Sequence, residues 1–457
     1  MWARIGLLPE ALTALSKLGH VKPTAIQQLA VPRLLEGKSA AFAASTGSGK
    51  TLAFLLPVMQ RLRAGELAAP PSRGARRAEG PGALVLAPTR ELVRQVYLEA
   101  KAISHHLRLR VRELSGGTRL SAQRAKLASG VDLLVATPSR LRLLLRRQKL
   151  SLRGVRCVVV DEADDVLLRG FADDLDHVLR ACPQAAGGAT VQMVFVSATL
   201  AGEARHHIRS RWPEAEVLLT ECAHRPPGAL RHRMELVRGD KLEALLRLLA
   251  GADDTRTIVF CRGVQSARAV ALALEADGFR VSSSHGSMPE RMRRRYLADF
   301  VADDTPRKPI LVSTDLAARG LNLPGVEHIV NFDFPASAAL YLHRAGRAGR
   351  MGAPGRVTSL LKRSEVPLGE AVQAAIGRRA ELPPVRAAPK AGAGATEGPA
   401  LPAATTTPSA RELSAAGRSV ALARATARRA NARRQAREQR QARQQMQLGS
   451  RRRKRRK

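Results

Sequence analysis

Short apolar runs that break off into polar or glycine-rich loops recur along this chain, and they leave few folds open. In the first half they read ALVLAPT (Ala83–Thr89), VDLLVATP (Val131–Pro138), CVVVDEAD (Cys157–Asp164) and VQMVFVSAT (Val191–Thr199). In the second they read TIVFCRG (Thr257–Gly263), PILVSTD (Pro309–Asp315) and HIVNFDFP (His328–Pro335). Amphipathic stretches of helical spacing separate them. Runs this short, flanked by polar turns, indicate parallel strands joined by crossover helices. The expected class is α/β, with two tandem parallel sheets, each flanked by helices. Ligands of such sheets bind beyond the carboxyl ends of the strands, where every chemically suggestive cluster of this sequence falls.

The segment ECAHRPPGALRH, from Glu221, carries a Pro-Pro pair and separates the two series. It is read as a linker, with a first domain over 1–222 and a second over 223–380. AAPPSRGARRAEGPG, inside the first half, reads as an exposed insertion loop. Residues 381–457 form a low-complexity linker and a basic tail. From Arg411 the tail has 17 basic residues against Glu412 and Glu438, and it ends in RRRKRRK. Its arginines fall on every helical face, so no apolar stripe can dock, and it is expected to be disordered. The amino terminus shows no signal-peptide apolar region, so the chain is expected to stay where it is made unless a leader is missing.

The whole chain of 457 residues is too long for a single core. It has 76 Lys and Arg against 39 Asp and Glu, a formal charge of +37. That balance points to a polyanionic partner, nucleic acid before a membrane surface. No apolar run approaches the roughly 20 residues of a transmembrane helix. Aromatics make up only 3%, too few for base stacking to be a main binding mode. Cys157, Cys182, Cys222 and Cys261 are scattered, which excludes a disulfide framework and a zinc site.

ASTGSGKT (Ala44–Thr51) follows an apolar run and precedes a helical pattern. Gly47 and Gly49 let the backbone curl so that amide N–H groups of Ser45, Thr46 and Ser48 face phosphate oxygens. The helix that follows adds its positive end. Lys50 reaches β- and γ-phosphates in this pattern, and the Thr51 hydroxyl ligates Mg²⁺. A chance glycine turn is the bland alternative; the strand–loop–helix context argues against it. Ala44 stands where the usual pattern has its first glycine.

VVVDEADDVL (Val158–Leu167) then makes sense in so basic a chain. A nucleoside triphosphate brings Mg²⁺, and an acid at a neighbouring strand end holds it. Asp161 is placed for that role, and Glu162 for orienting and deprotonating the attacking water. Helix capping, the structural alternative, is assigned to Asp165 and in part to Asp164.

D-E-A-D beside such a loop resembles the DEAD-box family of ATP-dependent RNA helicases. The likeness runs from Trp2 to about Ala380 through many ordered motifs. It implies two RecA-like domains, with ATP and Mg²⁺ as cofactors and RNA as partner. GHVKPTAIQ resembles the adenine-recognition motif, with Gln27 as reader, His20 packing on the base and Trp2 as the upstream aromatic. PTREL (Pro88–Leu92), Gly116-Gly117, TPSR (Thr137–Arg140), SAT (Ser197–Thr199), HGSMPERMR, STDLAARGLN and HRAGRAGR follow. The resemblance makes Ser197 and Thr199 the coupling between ATP state and RNA binding. It makes Arg347 and Arg350 the charges that stabilise the transferring phosphoryl group, and Asn322 a ribose contact where the family has Asp. RNA contacts carried over from the family are Pro88, Thr89, Arg90, Gly117, Thr137 and Arg140, with Gly286, Thr314 and Arg319 in the second domain. Ser139, Glu290 and Ala345 also depart from the family, which usually has Gly, Gln and Ile there.

The resemblance implies RNA-stimulated ATP hydrolysis coupled to local strand separation, by a monomer, with no metal beyond nucleotide-bound magnesium. A non-catalytic ATP-gated RNA clamp and a DNA-directed helicase are the competing readings. KAISHHLRLR (Lys101–Arg110) and GRMGAPGRVTSL (Gly349–Leu360) look like the plant plastid branch, associated with ribosomal RNA maturation. RRRKRRK points instead to a nuclear or nucleolar address.

Overall fold

The computed structural model describes residues 2–65, 80–147, 150–168, 170–183, 191–200, 202–220, 225, 228–250, 255–302, 305, 308–318, 323–349, 353–378 and 380. Arg319, Asn322 and Arg350, most of the insertion loop and the tail from 381 lie outside those residues.

Two sheets form, each with all its strand pairs parallel. The first contains β1 (Ala40–Ala43), β2 (Ala83–Leu86), β3 (Val111–Leu114), β4 (Leu133–Ala136), β5 (Cys157–Asp161), β6 (Gln192–Ser197) and β7 (Glu216–Leu219). Their order is β3-β4-β2-β5-β6-β1-β7. The second contains β8 (Leu230–Leu236), β9 (Thr257–Cys261), β10 (Val281–Ser284), β11 (Ile310–Thr314), β12 (His328–Asn331) and β13 (Gly355–Leu361). Their order is β10-β11-β9-β12-β13-β8. Counted from its own first strand, the second sheet repeats the first, which adds only β7 at its edge.

Strand residues alternate between two cores because successive side chains leave a strand on opposite faces. Cys157 and Val159 join one core of the first lobe, and Val158 and Val160 the other. In the second lobe Ile258 and Phe260 face one core, Val259 and Cys261 the other. Burial on both faces is why the central strands read as unbroken apolar runs.

The linker is shorter than its sequence suggests. Leu230, Arg231 and His232, read as the end of ECAHRPPGALRH, are the first residues of β8 and pair with Gly355–Val357 of β13. The ladder hydrogen bonds along this edge draw them into the sheet despite the prolines just before them.

The strand order sets the layout of the carboxyl edge of the first sheet. The loops after β5, β6 and β1 are neighbours on one half, and those after β2, β4 and β3 on the other. ASTGSGKT, DEAD and SAT therefore share one half, and PTREL, TPSR and the Gly116-Gly117 pair share the other.

Candidate nucleotide and RNA site

The phosphate loop curls as its glycines allow. Gly47 and Gly49 have φ of 79° and 86°, left-handed values that other residues rarely adopt. The helix Lys50–Arg63 starts directly after Gly49. Lys50 Nζ donates to the carbonyls of Ala44 (2.7 Å) and Ser45 (3.0 Å), which holds the ammonium over the loop. Gln27 ties the base-recognition segment to the same loop. Its Oε1 accepts from the Thr24 amide at 2.8 Å, and its Nε2 donates to the Gly49 carbonyl at 3.0 Å. A Cβ at Gly49 would run into that Gln27 amide. His20 is half-buried, and its carbonyl accepts from the Trp2 indole at 2.9 Å, with Trp2 itself in the core.

Asp161 closes β5, and Glu162 follows in a left-handed conformation, φ 50°. Such a backbone in a non-glycine residue costs about 1–3 kcal/mol and persists only where its surroundings fix it. Both carboxylates are buried, at 6% and 7% exposure. Glu162 Oε2 has no hydrogen-bond partner among the described residues. Burial, and then the charge of Glu162, push Asp161 up to about 7. Burial lowers Lys50 despite the pull of Glu162 and Asp161, and the guanidinium of Arg347 lowers it further. Two desolvated acids thus face two cations, Lys50 and Arg347. That donor set suits a magnesium-bound triphosphate, because the metal relieves the crowded acids and the phosphates relieve the crowded cations.

Asp164 caps its short helix only in part, as expected: its Oδ1 accepts from the Asp165 amide at 3.1 Å, and its other bonds go further afield. Its Oδ1 accepts from Ser197 Oγ (2.6 Å), and its Oδ2 from Thr199 Oγ1 (2.6 Å) and His343 Nε2 (3.0 Å). Burial alone would raise its pKa. The charge of His343, with hydrogen bonds from His343, Ser197 and Thr199, instead holds it well below the usual carboxylate range. Burial opposes the charge on His343, yet Asp164 and then Glu162 raise its pKa overall. Glu162, Asp164 and His343 stand close enough to share an ion. Asp164, which already accepts four hydrogen bonds, is a poor metal ligand, and Asp161 and Glu162 remain the acids available for one. Asp165, also read as a cap, is buried at 3% exposure.

His343 lies in the helix Ala338–Ala345 of the second lobe, and sequence reasoning gave it no role. Its signal was present as the first residue of HRAGRAGR, passed over in favour of the arginines. Arg344, from the same motif, is 2% exposed and grips Asp315 at 2.5 and 2.8 Å, which fixes this helix on the short helix Asp315–Ala318 after β11. Arg347 is 3% exposed, and its Nε donates to the His343 carbonyl at 3.1 Å. It is thus withdrawn from solvent, and near enough to the phosphate loop for its charge to lower Lys50. Thr46 Oγ1 completes this side of the junction with a 2.8 Å bond to the Gly346 carbonyl.

Gly346 offers a clean probe of that junction. Its φ is −68°, which alanine adopts freely, but an added Cβ would collide with the Thr46 side chain across the lobes. Gly346→Ala is expected to leave each lobe folded and to weaken closure by about 1–3 kcal/mol, the usual cost of overpacking. Steady-state kcat/KM for ATP should fall roughly 5- to 150-fold with an unchanged melting temperature; equal kcat/KM would mean that the lobes work without this contact.

On the other half of the edge, Pro88, Arg90, Thr137 and Arg140 line one pocket with Gly116 and Ser139. Pro88, Thr89, Arg90 and Gly286 line a second of ≈ 250 Å³, joined by Glu290, Arg293 and Ala317 of the second lobe. Thr89 also caps the helix Arg90–Leu107, accepting from the Leu92 amide at 3.2 Å. Arg140 is braced by Gln123 (3.0 Å) and the Thr118 carbonyl (2.6 Å). Gly117 has φ 89°, and an added Cβ there would strike Glu290. Thr314 is buried at the end of β11. The lobes are joined on this side by Arg293–Glu91 (2.5 Å) and Arg90–Glu290 (3.4 Å).

The family model described as DEAD/DEAH box helicase matches residues 24–207, and that of the helicase conserved C-terminal domain matches 240–352. The chain is 38% identical over 385 residues to DEAD-box ATP-dependent RNA helicase 39 of Arabidopsis thaliana, covering 83% of this chain and 61% of that protein. It is 36% identical over 355 residues to the ATP-dependent RNA helicase RhlB of Xanthomonas oryzae, covering 77% and 60%. The chain thus spans about three fifths of the length of these two relatives. Among solved structures, S. cerevisiae Dbp5 bound to RNA and ADP BeF3 superposes with a TM-score of 0.71 at 28% identity, covering 82% of this chain and 93% of that one. With both lobes matched in order and the motif loops gathered on one edge, the chain belongs to the DEAD-box RNA helicase family.

Proposed function

We propose that this chain hydrolyses ATP in response to RNA and uses the cycle to separate or remodel short structured RNA locally. One observation carries the reading. Asp164 of the first lobe holds Ser197 and Thr199 from its own sheet and His343 from the other lobe. The acid loop, the coupling motif and the second lobe thus share one hydrogen-bonded centre, midway along an edge with phosphate chemistry on one half and a groove on the other. The Arabidopsis and Xanthomonas relatives are named as ATP-dependent RNA helicases, and the Dbp5 structure holds RNA and a nucleotide analogue.

ATP, when bound, supplies the phosphoryl group, and its magnesium supplies the counter-charge. Lys50 and the loop amides would hold the β- and γ-phosphates, Thr51 and Asp161 would hold the metal, and Glu162 would take the proton of the attacking water. Arg347, whose charge reaches Lys50 from the second lobe, supports a set that would be complete only when the lobes meet. Small, polar and Arg residues in the groove suit phosphate and 2′-hydroxyl contacts without reading bases, which predicts little sequence preference.

Multiple-turnover phosphate release, with RNA and with a matched DNA strand, tests this. RNA is expected to raise turnover at least about tenfold, and DNA far less, because a grip on 2′-hydroxyls tells them apart. No stimulation by RNA would favour an ATP-gated clamp, and equal stimulation by DNA a DNA-directed helicase. Structured ribosomal RNA as target, and action as a monomer, are part of the same proposal. So is a plastid or nucleolar setting, which rests on the segments Lys101–Arg110 and Gly349–Leu360 and on the basic tail. Crosslinking of bound RNA and localisation with and without residues 451–457 test the target and the setting.

A further inference from the structure

Among the described residues, two ion pairs join the lobes beside the groove, and they differ in kind. Arg293–Glu91 is short, 2.5 Å, and its side chains are only 10% and 12% exposed. Arg90–Glu290 is longer, 3.4 Å, with side chains 43% and 28% exposed. The first is part of the packed junction. The second is a loose pair lying in the mouth of the groove, whose walls include Pro88, Thr89 and Gly286.

Glu290 reaches that place through a notch. Gly117 has no side chain, and the Glu290 carboxylate fills the space where one would be. The Arg90 guanidinium lies against the same backbone, 2.6 Å from where a Cβ of Gly116 would stand. Arg294, one turn along the helix Glu290–Ala302, approaches the other carboxylate oxygen at 3.8 Å. A carboxylate between two guanidiniums on a glycine backbone presents, like a backbone phosphodiester, one negative charge spread over two acceptor oxygens that an Arg fork can meet.

We propose that Glu290 occupies Arg90 in the place of an RNA phosphate, so that a strand entering the groove must displace this carboxylate. The inference rests on the reading of the groove as the RNA site. A half-exposed ion pair contributes only about 0–1 kcal/mol, so RNA displaces Glu290 readily but not without cost. Glu290 thus raises the RNA concentration at which the groove fills.

The test is equilibrium binding of a labelled single-stranded RNA to the full chain, across a range of salt, for the parent, Glu290→Gln, Arg90→Gln and the double variant. Glutamine keeps the shape and removes the charge. Glu290→Gln is expected to bind roughly two- to five-fold more tightly. The slope of log affinity against log salt should steepen by up to about 0.7, one cation being released to meet phosphate. In the Arg90→Gln background the same change should have no effect on affinity or slope. Unchanged or weaker binding by Glu290→Gln, or a gain that survives loss of Arg90, overturns the proposal. If the parent itself binds no RNA, the reading of the groove falls first and this inference with it.

Discussion

Arg347→Ala is expected to lower kcat for ATP hydrolysis by about 10³-fold or more, within the 10³–10⁵ range of arginine-finger systems. ATP affinity should change far less. Phosphoryl transfer spreads negative charge over the equatorial oxygens as the transition state forms, and a positioned guanidinium meets that charge without reorganisation. Arg347 is 3% exposed, and its charge is felt by Lys50 across the lobe junction. Its Nε is anchored on the His343 carbonyl, which limits how far the guanidinium can swing. Arg347→Lys separates charge from geometry, since a point charge on a flexible stem cannot reproduce a fixed fork; it should recover only part of the loss. Single-turnover hydrolysis with saturating RNA, alongside melting temperatures, is the measurement. Either variant within tenfold of the parent, folded and RNA-saturated, would remove Arg347 from the chemistry.

The central strands were legible in the sequence for a physical reason, and the edges were illegible for the converse one. β2, β4, β5 and β6 of the first sheet, and β9, β11 and β12 of the second, are buried on both faces and read as apolar runs. The edge strands β3, β7, β8 and β10 keep exposed or half-exposed positions, as in Arg112 and Glu113 or Arg231 and Arg233. Their composition resembles loop, and only pairing with a neighbour makes them strand. β13 was visible as GRVTSLL but was read for its likeness rather than its pattern.

The site divides along the same line. The phosphate loop and Asp161 are local signals, because one strand end and one helix start create them. Most of the work of Asp164 is not local. Its partners Ser197, Thr199 and His343 lie 33, 35 and 179 residues away. A carboxylate at the start of a short helix looks like a cap when only its neighbours are considered. The placing of Glu290 against Arg90 is likewise invisible, because it depends on how one lobe meets the other, 200 residues apart in the chain.

Glu162→Gln should leave nucleotide binding within a few fold and lower the chemical step by about 10²–10⁴, the usual worth of a positioned general base. The side chain is 7% exposed, and its Oε2 has no hydrogen-bond partner among the described residues. His343 Nδ1 of the other lobe lies 3.6 Å from that oxygen. A buried carboxylate oxygen left open, on a backbone forced to φ 50°, is costly unless something present in the working state uses it. An attacking water fits, because it needs one strong acceptor and brings its own proton. Glutamine fills the same volume and can still face His343, but its amide cannot take that proton. Because the lobes still close and only the exit is blocked, the variant should hold RNA longer in the presence of ATP than the parent does. The two readouts must move together: slow phosphate release in single turnover, and a prolonged ATP-dependent RNA complex. Slow release with an RNA complex as short-lived as the parent's would mean that Glu162 acts by holding the lobes together, and that the base lies elsewhere.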